Sequence, residues 1–233
     1  MTGSPDGQKR VTIIADVQTH MMPALAREMA GRNHNLVVST PVEGLQLQLA
    51  ELGAEVVIVP EADKLSDEGS VQSLVDAAKD RFGKFDSACI RTGAHKTGDI
   101  LSATVKDADE MYKGNLLSVF YALQALLPPL VKQGSGQVVV NTSASGLRPT
   151  PTAALYSATR AGANMLVRNA ALTVADKGVT VNATGTFAMD YPSFIEDVGA
   201  SDPKVRKQVE ATIPMSRLGR PEEAAHFVAT PAK

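Results

Sequence analysis

Short β-branched runs alternate along this chain with longer segments of helical spacing, and that alternation constrains the fold more than any other feature. Val11–Ala15 reads as a first strand, Leu36–Ser39 as a second, Glu55–Val59 as a third and Asp86–Ile90 as a fourth. Gln137–Thr142 and Val179–Ala183 complete a set of six. Between them, sets such as Leu45, Leu49 and Leu52, or Val71, Leu74, Val75 and Ala78, recur at helical spacing. Continuous apolar strands separated by helices indicate an α/β fold, a parallel sheet covered on both faces. With 233 residues, no linker rich in Gly, Ser or Pro and no internal repeat, one domain over 11–233 is expected. Residues 1–10 are polar, with two Gly and one Pro, and read as a flexible N-terminal arm unlike a signal peptide.

Charge and cysteine usage narrow the class. Lys plus Arg number 23 and Asp plus Glu 25, a net charge of −2 that argues against a nucleic-acid or anionic-membrane partner. Cys89 is the single cysteine, so there is no internal disulfide framework and no multi-cysteine metal site. In a strand, it reads as core. His34, His95 and His226 have no ligand-spaced companions, so no metal is expected. Apolar runs such as Val56–Val59 and Val138–Val140 are far too short to cross a bilayer. A soluble cytoplasmic protein is the expectation.

Two long helices stand out. Thr104 and Asp107 form a capping pair for a helix running to about Lys132. Ala153–Lys177 is rich in Ala and Leu and closes at Gly178. Their small residues and apolar stripes suit packing between the sheet and a further surface, such as another subunit.

In a doubly wound sheet, ligands bind beyond the carboxyl ends of the strands. The fifth strand ends Asn141-Thr142-Ser143-Ala144-Ser145-Gly146, which places small hydroxyls at the rim. Tyr156 stands near the start of the next helix, and Arg160, four residues on, shares its face. A guanidinium never releases its proton, so it favours the ionised form of a neighbouring phenol. Ser143 would hydrogen-bond a substrate oxygen whose proton Tyr156 accepts. The structural alternative is a plain surface pair on a helix.

These residues resemble the short-chain dehydrogenase/reductase superfamily over roughly Val11–Ala229. There a Ser precedes Tyr-x-x-x-Lys, and Tyr156-Ser157-Ala158-Thr159-Arg160 matches except for Arg in place of Lys. Asn115 in Gly114-Asn115-Leu116-Leu117 and the turn Arg217-Leu218-Gly219-Arg220-Pro221-Glu222-Glu223 match as well. The resemblance implies a Rossmann-like three-layer sandwich with strand order 3-2-1-4-5-6, and homotetramers formed through the two long helices.

The departures lie on the cofactor side. The first turn, Ala15-Asp16-Val17-Gln18-Thr19-His20-Met21-Met22-Pro23, has no glycine, and side chains at His20, Met21 and Met22 would occupy space a dinucleotide needs. Ser39-Thr40-Pro41 lacks a ribose-binding acid, Ile90-Arg91-Thr92-Gly93 replaces the family's Asn-Asn-Ala-Gly, and Thr184-Gly185-Thr186-Phe187 its Pro-Gly turn. This pattern resembles the halohydrin dehalogenases, the branch that keeps Ser and Tyr, uses Arg for Lys and binds no nicotinamide. That resemblance implies a cofactor-independent lyase with Ser143, Tyr156 and Arg160 as catalytic residues. It would convert a vicinal halo-alcohol to an epoxide and, in reverse, open an epoxide with a small anion. His20, Thr186, Phe187 and Met189 would line the halide and substrate pocket, although Phe187 and Met189 also read as loop packing. Two alternatives stand beside it: an NAD(P)-dependent short-chain oxidoreductase with a degenerate cofactor turn, and a non-catalytic relative.

Overall fold

The computed structural model describes residues 8–150 and 152–230. Most of the 1–10 arm lies outside the described residues, while Arg10 already belongs to the first strand. The strands are β1 (Arg10–Ala15), β2 (His34–Val38), β3 (Val56–Ile58), β4 (Ser87–Arg91), β5 (Gly136–Asn141) and β6 (Val179–Thr184). They form one parallel sheet in the order β3-β2-β1-β4-β5-β6. The connecting helices are α1 (Met22–Gly31), α2 (Leu45–Glu51), α3 (Ser70–Phe82), α4 (Val105–Tyr112), α5 (Ser118–Gln133) and α6 (Ala154–Val174). After β6 come α7 (Pro192–Asp197), α8 (Pro203–Ala211) and α9 (Pro221–Ala229). The order is the one the resemblance implied.

Alternate side chains of each strand enter different cores, as a period of two requires. Ile13, Val37, Ala88, Ile90, Val138 and Val140 pack in the core containing α3, α5 and α6. Ile14, Leu36, Val38, Cys89 and Val139 pack on the other face with α1 and α9. Each fully buried aliphatic side chain contributes about 1.5–3 kcal/mol. Cys89 is buried, and desolvation pushes its thiol up to about 12, so it is inert core.

A polar chain crosses the sheet interior. Thr12 Oγ1 meets His34 Nδ1 at 2.7 Å and Ser87 Oγ at 2.9 Å. Burial and then Arg10 depress the His34 pKa to about 4. His20, in the first turn, is lowered to about 3, chiefly by burial and then by Arg91. Both fall below the free-imidazole value of about 6.5, so the unfolded chain takes up protons first as pH drops. Folding stability should therefore decline from about pH 6.5 towards pH 3–4, by on the order of 2 kcal/mol after solvent screening. Urea titrations across that range check this: a flat profile in wild type, or an unchanged one in His34→Gln, contradicts it.

The expected long helix is continuous but not uniform. Thr104 and Asp107 form the reciprocal cap. At Lys113–Leu117 the helix widens into a π-type turn, then resumes as α5. By length and composition Val105–Gln133 is long and apolar enough to cross a membrane, and 44% of its most apolar stretch is buried. It packs as a core helix beside α3, α6 and β5. The next long helix ends in a tight turn at Ala175–Lys177, before Gly178 at φ 72°.

Candidate active site

The carboxyl ends of β1, β4, β5 and β6 open into a cavity of about 270 Å³, lined by His20, Arg91, His95, Ser143, Tyr156 and Arg160 among others. Ser143 leaves β5 in extended conformation and accepts a hydrogen bond from the Ser145 N–H at 3.2 Å. A Cβ on Gly146 would lie 2.8 Å from the Arg160 carbonyl oxygen, so this rim is pressed directly against α6. That close approach fixes Ser143 relative to the helix carrying Tyr156 and Arg160. The surface-pair alternative fails because Arg160 is only 3% exposed.

Arg160 donates from Nη2 to the Thr92 carbonyl at 2.6 Å, and its guanidinium carbon sits 5.2 Å from the Tyr156 ring centre. Its Nε and Nη1 are buried without hydrogen-bond partners of standard geometry. Burial lowers its pKa from the usual arginine value, while Tyr156 opposes that shift. Asn115, fully buried in the π-type turn, accepts from the Ala94 N–H at 3.1 Å and donates to Thr159 Oγ1 at 3.1 Å. It ties the loop after β4 to α6.

The first turn differs from the sequence expectation. Met21 and Met22 are fully buried and pack in the α1-side core, so they do not fill the cavity. Asp16 at φ 58° and His20 at φ 56° adopt the left-handed conformation a glycine turn uses, at a cost of about 1–2 kcal/mol each. On the open side, Arg91 Nη1 meets Asp16 Oδ2 at 2.9 Å, and Arg91 Nη2 meets His20 Nε2 at 3.3 Å.

Thr186 and Phe187 join His20 in the cavity wall. Phe187 is half exposed and carries the Arg148 guanidinium 4.2 Å from its ring centre. Met189 does not join them: it is 9% exposed, lies in the α1-side core and abuts Gly219. Three site residues escaped the sequence reading. Arg91 was visible as a charge at a strand end, but its pairing was not. His95 packs edge-on to the Tyr156 ring with centroids 4.8 Å apart, and Tyr191 packs likewise on His20 at 4.8 Å. Burial pushes the Tyr191 phenol up to about 12, against the opposing effects of Thr186 and Arg91, so it stays neutral. Among the described residues, no cluster of three His, Cys, Asp or Glu could hold a metal ion.

A doubly wound sheet with Ser143, Tyr156 and a buried cation at its carboxyl edge defines an α/β enzyme of the dehydrogenase/reductase type. The sequence pattern of the family described as Enoyl-(Acyl carrier protein) reductase matches residues 23–231. The chain belongs to the short-chain dehydrogenase/reductase superfamily. It is 30% identical over 229 residues to levodione reductase of Leifsonia aquatica, covering 94% of this chain and 86% of that protein. It is 32% identical over 167 residues to a 4-formylbenzenesulfonate dehydrogenase of Comamonas testosteroni, covering 71% of this chain but only 66% of that one. The solved levodione reductase superposes with a TM-score of 0.88 at 27% identity, covering 96% of this chain and 90% of that one. NAD+-bound xylitol dehydrogenase superposes equally well, at 0.88, but at 22% identity shows the fold alone.

These findings correct the expectation of a halohydrin dehalogenase. The relatives are dehydrogenases and reductases by name, and no lyase, halo-alcohol, epoxide or halide partner is supported. The physical premise also weakens, because two of the three side chains expected to block a dinucleotide face the core.

A nicotinamide dinucleotide is the cofactor the superfamily implies, and the residues fit it. At the catalytic end, the buried Arg160 guanidinium lies beside Tyr156 at the cavity, its Nε and Nη1 making no hydrogen bond of standard geometry. At the first turn the left-handed backbone is retained, and Arg91 supplies a cation suited to phosphate once it leaves Asp16. Asp16→Asn is therefore expected to tighten NAD(P)H binding about ten-fold, and Arg91→Ala to weaken it about ten-fold, ~1.4 kcal/mol each. Fluorescence titration measures both, and equal affinities in all three proteins would contradict this role for Arg91.

Proposed function

We propose that this chain is an NAD(P)-dependent oxidoreductase interconverting a small carbonyl compound and its alcohol. The observation carrying the reading is the buried Arg160 guanidinium beside Tyr156, at a cavity that Ser143 also lines. The names of the relatives support the reaction class. Ser143 donates a hydrogen bond to the substrate oxygen and fixes its lone pairs towards Tyr156. In the reductive direction the Tyr156 hydroxyl gives its proton to that oxygen as negative charge develops there. Arg160 stabilises the phenolate left behind, in a low-dielectric site where its charge acts strongly. In the oxidative direction the phenolate removes the alcohol proton. Arg160 and Arg91 would hold the dinucleotide, which when bound supplies or accepts the hydride.

The cavity of about 270 Å³ suits a small substrate, with Phe187 and Tyr191 as apolar walls. The apolar faces of α5 and α6, where Phe120, Met165 and Leu172 are exposed, are the proposed subunit contacts of a homotetramer. The test of function is loss of nicotinamide absorbance when the protein meets NADH or NADPH and a panel of ketones and aldehydes. Turnover with at least one carbonyl supports the reading, and none across the panel overturns it.

A further inference from the structure

Arg160 leaves the proton cycle of the site incomplete. A guanidinium holds its proton at any working pH, so Arg160 can stabilise the Tyr156 phenolate but cannot pass it a proton. Every turnover must nevertheless restore the phenol from solvent. Among the described residues lining the cavity, the titratable candidates are His20, His95, Tyr191 and Asp197. His20 is locked against Arg91 and Tyr191 and stays neutral, and Tyr191 is a buried neutral phenol. His95 differs from both. Its ring packs edge-on to Tyr156, its side chain is 39% exposed, and its Nδ1 lies 3.3 Å from Asp197 Oδ2 on α7.

We propose that His95 is the proton relay between Tyr156 and solvent, with Asp197 as its positioning residue. Carbonyl reduction transfers the Tyr156 proton to the substrate oxygen and leaves a phenolate. The His95 imidazolium then returns a proton to that phenolate through one water molecule, and neutral His95 recovers its own from bulk solvent. Alcohol oxidation runs the same transfers in reverse. The Asp197 carboxylate accepts the Nδ1–H, which selects the tautomer and leaves Nε2 for the exchange. The groups facing His95 are Tyr156 from α6, Asp197 from α7 and the neutral His20 from the first turn. On its own loop, the neighbouring Lys96 is engaged by Asp107.

This assignment rests on the oxidoreductase reading, and the experiment separates the two. Wild type, His95→Gln and Asp197→Asn are assayed with NAD(P)H and a carbonyl across pH 5–9, with and without added imidazole. The partly exposed positions of both side chains make folding of the variants a modest demand, checked by circular dichroism. His95→Gln is expected to lose about ten-fold or more in kcat with KM nearly unchanged, to lose one limb of the pH profile, and to regain activity with imidazole. Asp197→Asn is expected to displace that limb while retaining more activity. An active wild type with a His95→Gln variant of normal kcat and pH profile, or one that imidazole does not rescue, overturns the relay. An inactive wild type overturns the oxidoreductase reading itself, and the relay with it.

Discussion

Tyr156→Phe should reduce turnover by about 10²–10⁴-fold while leaving the protein folded. The substitution removes only the hydroxyl. The ring keeps its edge contact with His95 and its place near the Arg160 guanidinium, so packing is preserved. The stability change should stay within about 1 kcal/mol, the size of one net hydrogen bond. Dinucleotide affinity should move only a few-fold, because the proposed holding groups are Arg91 and Arg160. Steady-state kinetics with a parallel binding titration measure both quantities. A variant turning over within ten-fold of wild type would remove Tyr156 from proton transfer.

Gly93→Ala should be nearly as damaging by a different route. Gly93 follows β4 with φ at 135°, a conformation that L side chains rarely adopt. An added Cβ would lie 1.8 Å from Arg160 Nη2 and 2.7 Å from Asn115 Oδ1. Arg160 cannot stay where it is, and its hydrogen bond to the Thr92 carbonyl breaks first. The expected result is about a 10²-fold fall in turnover together with a stability loss of about 1–3 kcal/mol. Gly98→Ala is the control: φ there is 152°, but no atom lies within 4 Å of the added Cβ. It should share the backbone strain and keep most of the activity. If both variants behave alike, the close approach to Arg160 carries no functional weight.

Much of the sheet was legible because its strands are continuous apolar runs, which only a doubly covered parallel sheet accommodates. The start of β2 was not, because His34 reads as a polar loop residue until Thr12 and Ser87 close around it. The π-type turn inside the long helix was hidden for a similar reason: Asn115 is held there by Ala94 and Thr159, contacts made only in the fold. Ser143, Tyr156 and Arg160 were readable from spacing on one strand end and one helix face. Met21, Met22 and Met189 were misplaced into the cavity although apolar burial would have put them in the core, where they lie. The missing glycines suggested a closed turn, yet Asp16 and His20 hold the left-handed backbone themselves. His95 and Asp197 come from separate segments, and nothing local in the sequence announces their meeting.

The central claim is that this cavity exchanges a hydride between a nicotinamide and a carbonyl carbon, with Tyr156 handling the proton. Mass spectrometry of the alcohol formed from NAD(P)H deuterated at the transferring position tests it directly. One deuterium on the carbinol carbon of the product, formed at least about a hundred-fold more slowly when Tyr156→Phe replaces wild type, is the predicted result. Alcohol formed without deuterium from either face of the nicotinamide, or no alcohol from any carbonyl tried, would contradict it.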